Sequence, residues 1–182
     1  MKLRPGSTAL LVVVLLAASL LAGCPAYHAP QLSEQLRIEF DDRSWERVYR
    51  DAHEHRLIVQ YVPSDQSAED WQEMVMERAF KGLQETTTAE QAMAQDRKLI
   101  EGQCKSVEWN VVDEHPGSVL YETTHRECVE RQPAYELGRF LVSSKALYQV
   151  TYRNKQANLP AAKRQQWIDL LGKVRTVEVH DE

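Results

Sequence analysis

The chain has 182 residues and a mass of 21.0 kDa, a length that favours a single domain. Hydrophobic residues make up 43% and charged residues 27% of the sequence, with only 7 glycines and 7 prolines, which excludes wholesale disorder and the collagen-like classes. The formal net charge is -5, and removal of residues 1–23 with their two cations lowers it by two, to -7. This acidity argues against a basic binding face, so we predict no nucleic-acid partner.

The N-terminus has the pattern of a secretory signal. Lys2 and Arg4 precede an apolar run from Ala9 to Ala22, which matches the basic and hydrophobic regions of such a signal. A helix that spans a bilayer needs about 20 apolar residues, more than this run supplies. The pattern therefore predicts that residues 1–23 are a processed signal peptide and not a membrane anchor.

The segment Leu21-Ala22-Gly23-Cys24 resembles the lipobox of bacterial lipoproteins, in which Leu, then Ala or Ser, then Gly or Ala precede the cysteine. The resemblance implies transfer of a diacylglyceryl group to the sulfur of Cys24, cleavage before this residue, and acylation of its new amino group. Two or more acyl chains hold a protein stably at a bilayer. The alternative is ordinary signal-peptide cleavage, with Cys24 as a bystander.

Pro25 follows the predicted lipidated cysteine. In Gram-negative lipoproteins, Asp at this position is the familiar signal for retention in the inner membrane, and this chain lacks it. We therefore expect a lipid-anchored envelope protein at the outer membrane, facing the periplasm, with the lipid bilayer as a partner through the acylated Cys24. Residues 24–35 are predicted to form a tether, and residues 36–182 a single domain.

The first part of the domain is predicted to contain three strands and a helix. Alternation of apolar and polar residues over 36–40 predicts a short strand. Residues 44–51 and 56–62 predict a hairpin. A helix is then expected to open at Ser67 and to close at Gly82. The inward residues of this helix recur at helical spacing: Trp71, Met74, Val75, Arg78 and Ala79.

A second helix is predicted from about Ala89 to Gly102. Thr88 and Gln91 have the spacing of a capping box, in which the two side chains satisfy backbone N–H groups at the start of a helix. The expected inward residues of this helix are Ala92, Met93, Leu99 and Ile100.

The cysteines indicate a disulfide. Lipid on Cys24 leaves Cys104 and Cys128, and an exported compartment is oxidising, so these two are predicted to pair. Strand-like alternation on both sides of Pro116-Gly117 predicts a hairpin, and a three-residue loop centred on Pro116 places Cys104 directly opposite Cys128. Two free buried thiols are the alternative.

Residues 135–143 and 147–153 predict a further hairpin, which turns at Ser144-Lys145. Pro160 is suited to the first turn of a final helix, whose apolar stripe includes Trp167. Sequential hairpins need only short turns, so the sheet is predicted to be antiparallel.

The predicted fold class is α+β, with an antiparallel sheet of about six strands flanked by three helices and one disulfide. This element order, together with the positions of Trp71, Tyr152 and Trp167, resembles the PsbP-like α/β/α sandwich. The resemblance implies an extrinsic module that binds other proteins and does not catalyse a reaction.

The sequence contains few residues in a catalytic or metal-binding pattern. The five glycines after Cys24 are isolated, which excludes a phosphate-binding loop. His53-x-His55 has a metal-like spacing, but the pair falls in a predicted turn without a third ligand, so no metal and no cofactor are predicted. Ser143-Ser144-Lys145 could supply a nucleophile and its base, yet adjacent residues at a hairpin tip rarely converge.

Three residues of the disulfide hairpin form the candidate ligand groove. Trp109, Tyr121 and His125 are expected on its apolar face. Core packing is the ordinary role for such aromatic residues, and a groove that holds a ligand is the functional alternative. For His125 the alternatives are a half-buried, hydrogen-bonded histidine and a catalytic base.

The sequence favours a non-enzymatic binding or interaction module of the cell envelope, which contacts an envelope protein or ligand through its sheet face or loops. One alternative is an envelope hydrolase, in which His125, a carboxylate such as Glu108 or Glu127, and a hydroxyl converge. The other alternative is a carrier of a small apolar or lipid ligand between helix and sheet. A hydrolase requires these groups within hydrogen-bond reach, whereas a carrier requires an apolar cavity.

Overall fold

The computed structural model of the chain describes residues 33–129, 132, 134–156 and 158–179. Within these residues, nine strands, two α-helices and one short 3₁₀-helix follow one another. The strands are β1 (Glu34–Arg37), β2 (Trp45–His53), β3 (Arg56–Pro63), β4 (Glu73–Phe80), β5 (Cys104–His115), β6 (Ser118–Cys128), β7 (Ala134–Val142), β8 (Leu147–Asn154) and β9 (Arg175–Glu178). The helices are the 3₁₀-helix (Leu83–Glu85), α1 (Ala89–Gln103) and α2 (Ala161–Gly172).

Seven strands form one antiparallel sheet in the order β2-β3-β4-β8-β7-β6-β5. Most neighbours in this order are consecutive hairpins, and the pairing of β4 with β8 joins the first group of strands to the second. The remaining strands, β1 and β9, pair antiparallel with each other, from Glu34 opposite Glu178 to Arg37 opposite Arg175. This two-stranded unit is called the ribbon below, and it ties the start of the described chain to its end.

The expected α+β sandwich of about six strands and three helices is wrong. The described residues hold nine strands and two α-helices, so the fold is mostly β. One added strand is β9, which is too short to show a periodic pattern. Another is β4, which replaces the helix expected over residues 67–82.

The sequence pattern did not predict β4 as a strand because both faces of this strand are buried. It lies between β3 and β8, and six of its eight residues are buried. A strand that is covered on both faces does not alternate between apolar and polar residues, so its apolar residues also match helical spacing. Ser67 does accept a hydrogen bond from the backbone N–H of Asp70 at 3.2 Å, but this bond belongs to the loop before the strand.

Both α-helices begin where the sequence predicts. At α1, the Thr88 hydroxyl accepts the N–H of Gln91, and the Gln91 side chain accepts the N–H of Thr88, which confirms the capping box. α2 follows Pro160, whose missing N–H costs nothing at a helix start. The inward position expected for Leu99 is wrong, because its side chain is 56% exposed.

The disulfide between Cys104 and Cys128 is present, which confirms the predicted pairing. The two cysteines face each other directly at the ends of β5 and β6. The pairing of β5 with β6 brings them together, because Cys104 begins β5 and Cys128 ends β6. The disulfide therefore closes the open end of this edge hairpin.

The turn of the same hairpin differs from the expected three-residue loop. His115 pairs with Ser118, so only Pro116-Gly117 forms the turn. Gly117 has a φ of +76°, a conformation that favours glycine. A bulge between Val111 and Asp113 then shifts the register by one residue, which returns the cysteines to opposite positions.

The two α-helices pack on opposite faces of the large sheet. Neighbouring residues of a strand point to opposite faces, so Tyr121 belongs to the cluster under α1 while Leu120 belongs to the cluster under α2. Trp167 of α2 stacks on Tyr152, with ring centroids 4.1 Å apart. The ribbon lies on the α2 side, since its Leu36 joins the same cluster.

Candidate functional site

A cavity of about 240 Å³ lies between the ribbon and the large sheet, on the side of β2, β3 and β4. It is called the ribbon cavity below. From the sheet it is lined by Arg50, Ala52, Leu57, Glu77, Ala79 and Tyr148. From the ribbon and the residue after it, the lining residues are Glu34, Gln35 and Val179. At one end it is closed by His53, Glu54, His55, Arg56 and Lys81.

One row of paired residues on the large sheet, which forms the floor of the cavity, explains why space is left above the sheet. Ala52, Leu57, Ala79 and Tyr148 are successive neighbours across β2, β3, β4 and β8. Side chains on one sheet face stand side by side at about 4.8 Å spacing, so a large residue normally fills the space above each position. The two alanines reach no further than Cβ, which leaves space on either side of Leu57.

The adjacent row of paired residues contains the charged side chains of Arg50 and Glu77. Arg50, Val59 and Glu77 are successive neighbours, so roughly 10 Å separates the Cα atoms of Arg50 and Glu77. Glu77 is only 6% exposed, and its carboxyl accepts a hydrogen bond from the backbone N–H of Leu36. Burial raises the pKa of Glu77 to about 7, although the Leu36 N–H and the positive charge of Arg50 both lower it. Near neutral pH this carboxyl is therefore divided between its protonated and ionised forms.

The cations around the ribbon cavity differ in how they are paired. Arg56 forms an ion pair with Asp51, with 2.8 Å between Nη2 and Oδ2. Within the described ranges, the side chains of Arg50 and Lys81 make no ion pair. A second buried carboxylate, that of Glu34, also lines the cavity and accepts the hydroxyl of Ser143. The cavity therefore combines the positive charges of Arg50 and Lys81 with the buried carboxyls of Glu34 and Glu77.

The ribbon wall of the cavity is held in place by specific contacts. The Tyr148 hydroxyl donates to the backbone carbonyl of Glu34 at 3.1 Å, and the Ser143 hydroxyl donates to the Glu34 side chain. The N–H of Leu36 reaches Glu77, and the Leu36 side chain is buried in the core. These contacts join the ribbon to β4, β8 and the loop before β8, so the cavity is preformed, as most small-molecule sites are.

The histidine pair noted in the sequence lies at the rim of this cavity. His53 Nε2 is 2.9 Å from Asp51 Oδ1, and His55 Nε2 is 3.7 Å from Glu54 Oε1. Both histidine side chains are mostly exposed. No group of three or more His, Cys, Asp or Glu side chains in the part of the chain that the structure describes is placed to hold a metal ion.

Trp109 and Tyr121, from the groove predicted by sequence, lie together under α1. Their rings stack with centroids 4.6 Å apart. The buried Tyr121 hydroxyl donates to Asp96 and accepts from the Gln149 amide. Gly138 lies against the Tyr121 ring, because a Cβ at this position would be 2.3 Å from Cζ. These contacts are those of a packed layer between sheet and helix.

His125, the third residue of the predicted groove, is fully buried on the same sheet face. Its Nε2 is 3.2 Å from the carbonyl oxygen of Gln132 and 3.8 Å from Glu136 Oε1. Glu136 Oε1 also lies 2.7 Å from Arg153 Nε in an ion pair, so an ionic cluster lies beside the imidazole. The use of Trp109, Tyr121 and His125 as a ligand groove stays a prediction.

The carboxylates considered for a hydrolase lie elsewhere. Glu108 points to the sheet face opposite Trp109 and His125, because neighbouring strand residues alternate. The Glu127 side chain is 68% exposed, and its Oε2 is 3.6 Å from Lys105 Nζ. The carboxylate that accompanies His125 is Glu136 instead.

Two other carboxylates that the sequence analysis did not single out serve the structure. Burial would raise the pKa of Glu73, but hydrogen bonds from Arg43, Lys163 and Tyr152 lower it. Glu122 accepts hydrogen bonds from Nε and Nη2 of Arg164, at 2.7 and 2.8 Å, which lowers its pKa to about 2. Lys163 and Arg164 belong to the first turn of α2, so both carboxylates attach this helix to the sheet.

Neither Glu77 nor Arg50 was predicted from the sequence. Glu77 and Arg78 are the two charged residues of the otherwise apolar segment Met74–Phe80, and a carboxyl in such a segment is a signal of a buried charge. The helical interpretation concealed this signal, because it placed Glu77 on the polar face of the expected helix. Arg50 carries no comparable local signal, since only the strand register brings it into the same row as Glu77.

Comparison with known protein families shows that the chain belongs to one of them. A protein-family model matches residues 32–181, and the chain belongs to that family. No curated protein matches the chain significantly. The family match spans the ribbon and the large sheet, so all the residues that line the ribbon cavity lie within it.

The predicted signal peptide and the lipobox cysteine, Cys24, lie outside the described residues. Among the helices that the structure describes, none is long and apolar enough to cross a bilayer.

Proposed function

We propose that this member of the family is a lipid-anchored, non-enzymatic binding module of the bacterial cell envelope. The acylated Cys24 holds it at the outer membrane, facing the periplasm, and the ribbon cavity receives a small ligand. The cavity supports the binding role because it combines preformed walls, a buried carboxyl and cations that lack ion pairs within the described residues. An envelope protein is the further partner that the sequence leads us to expect.

Two observations support the cellular location. The lipobox supplies the acylation site, and the disulfide between Cys104 and Cys128 belongs to an oxidising compartment. β1 begins ten residues after Cys24. Ten extended residues span at most about 36 Å, so the domain works close to the bilayer surface.

The charges of the cavity favour binding of a polar ligand over the other hypotheses. A carrier of an apolar chain needs an apolar cavity, whereas this one has Glu77 in its floor and Arg50 and Lys81 at its solvent side. A hydrolase built on His125 finds no support in the geometry, because this residue is fully buried on the opposite sheet face.

Filling the cavity tests the binding role. The wild type, an Ala52→Phe variant and an Ala94→Phe control are purified from host membranes and compared by native mass spectrometry. Ala52 lines the cavity, whereas Ala94 is exposed on α1. We expect a bound small molecule on the wild type and the control, and at least tenfold less of it on Ala52→Phe. Equal occupancy in all three proteins, or none in any of them, would contradict the proposal.

The anchor is tested separately. Intact-mass analysis of the wild type should show a chain that begins at Cys24 and carries acyl groups. A Cys24→Ser variant should move from the membrane fraction to the soluble fraction. An unmodified Cys24 in protein from the native host would refute the anchoring.

Far-UV circular dichroism and thermal melting of Ala52→Phe and a milder Ala52→Val variant establish that the cavity variants are folded.

A further inference from the structure

We infer that the ribbon cavity binds a compact zwitterion, whose primary ammonium group contacts Glu77 and whose anionic group contacts Arg50 and Lys81. This inference rests on the proposed binding function and names the chemical class of the ligand.

The floor of the cavity offers a hydrogen-bond acceptor. Glu77 is more than nine-tenths buried, yet its side chain lines the cavity. Its carboxyl accepts the N–H of Leu36, and a carboxylate has two oxygens with about four lone-pair sites in total. Acceptor capacity therefore remains for a ligand. An ammonium group suits it well, because charge-assisted hydrogen bonds to carboxylates are among the strongest in proteins.

The solvent side of the cavity offers cations. Arg50 is on the same cross-strand row as Glu77, with only Val59 between them. Lys81 directly follows β4, and its backbone N–H donates to the carbonyl of His55, which holds this residue at the end of the cavity. In contrast to Arg56, which pairs with an aspartate, neither Arg50 nor Lys81 makes an ion pair in the described part of the chain.

The two signs of charge select a zwitterion. An anion alone would bring its charge toward the carboxylates of Glu77 and Glu34, and a cation alone would pass Arg50 and Lys81, which make no ion pair among the described residues. A molecule with both groups places each opposite its complement. The volume of about 240 Å³ lies below the roughly 300 Å³ at which common ligand pockets begin, so the ligand is compact. Ala52 and Ala79 leave space for its short apolar part.

Two sources supply this chemistry. One is the phosphoethanolamine headgroup of a lipid in the bilayer to which the protein is anchored. The other is a free zwitterion in the periplasm. Glu34 and Gln35 of the ribbon line the cavity and follow the lipidated cysteine by only ten and eleven residues, so both sources are within reach.

Isothermal titration calorimetry of the mature lipidated protein in detergent micelles tests the inference. The probes are O-phosphoethanolamine, alanine, O-phosphocholine and inorganic phosphate. Phosphocholine is the matched control, because its quaternary ammonium has no N–H to donate. We expect O-phosphoethanolamine or alanine to bind at least tenfold more tightly than phosphocholine and inorganic phosphate. Equal affinity for phosphocholine, or no binding of either zwitterion, would overturn the inference.

Matched variants locate the binding. Glu77→Gln and Arg50→Gln should each weaken binding of the zwitterion at least fivefold. Glu114→Gln and Arg126→Gln make the same substitutions at exposed positions on strands distant from the cavity, and should retain wild-type affinity. Glutamine at position 77 can still accept the N–H of Leu36, so this variant keeps the ribbon in place. Undiminished binding by both cavity variants would overturn the inference.

Nanodiscs distinguish the two sources. With a lipid headgroup as ligand, discs of phosphatidylethanolamine should lower the apparent affinity for soluble O-phosphoethanolamine at least fivefold relative to discs of phosphatidylcholine. Equal affinities in both discs would assign the site to a free zwitterion.

The zwitterion inference can fail while the proposed binding function still holds. In that case native mass spectrometry would still detect a bound molecule that Ala52→Phe loses, while neither zwitterion binds.

Discussion

Replacement of Glu77 by glutamine tests the energetic cost of the buried carboxyl. The ordinary pKa of a glutamate side chain is 4.5, and burial raises that of Glu77 to about 7. Below pH 4.5 the carboxyl is protonated in both the folded and the unfolded chain. Between pH 4.5 and about 7, the unfolded chain releases this proton while the folded chain retains it, so the stability of the wild type falls as pH rises.

The expected magnitude follows from the two pKa values. One pKa unit corresponds to ~1.36 kcal/mol, so the change from 4.5 to about 7 corresponds to about 3 kcal/mol. Glutamine is neutral at every pH and keeps the acceptor for the Leu36 N–H. We therefore expect Glu77→Gln and wild type to be equally stable near pH 4. Above about pH 7 the variant should be more stable by about 3 kcal/mol.

Urea unfolding of the two proteins in parallel, followed by circular dichroism at several values between about pH 4 and 8, measures this difference. Glu73 and Glu122, whose pKa values are lowered, also make stability depend on pH, but both are present in each protein and cancel in the comparison. An exposed control, Glu114→Gln, should differ from wild type by an amount that does not change with pH. A Glu77→Gln difference that is constant across pH, or a variant that is less stable at pH 8, would refute the reasoning.

Three further variants test the packing of the sheet. Gly138→Ala should lower the melting temperature and cost about 1–3 kcal/mol, because the added Cβ overlaps the buried ring of Tyr121; unchanged melting would contradict this contact. Replacement of Cys104 and Cys128 together by alanine should reduce the free energy of unfolding by about 3 kcal/mol, measured with urea. Arg139→Met removes the donor to three carbonyls at the end of α2, at 2.7 to 3.2 Å, and should cost about 1–3 kcal/mol. Hydrogen exchange should then be faster at the end of α2 but unchanged in α1.

Local signals in the sequence predicted the elements that depend on neighbouring residues. The capping box of Thr88 and Gln91 placed the start of α1, because its hydrogen bonds join residues three apart. The Pro116-Gly117 turn and the paired cysteines predicted the β5–β6 hairpin. The exact turn length was wrong, since the bulge that compensates for the shorter turn has no clear sequence signature.

Elements that depend on distant residues were not predicted. β4 is a strand because β3 and β8 pair with it and both sheet faces are covered there. Its own residues satisfy helical and strand spacing equally well, so only the pairing decides between them. β9 is a strand because β1 is available to pair with it, and its four residues are too few for a periodic pattern.

By itself, the sequence determined features that short stretches encode: the capping box of α1, the hairpins and the pairing of Cys104 with Cys128. Only the tertiary structure shows that the ribbon cavity exists and which residues line it. Arg50 and Glu77 are far apart in the chain, and they meet because two successive strand pairings place them in one row. Strand register is set by the burial of whole sheet faces, a property of the folded chain that no single segment contains.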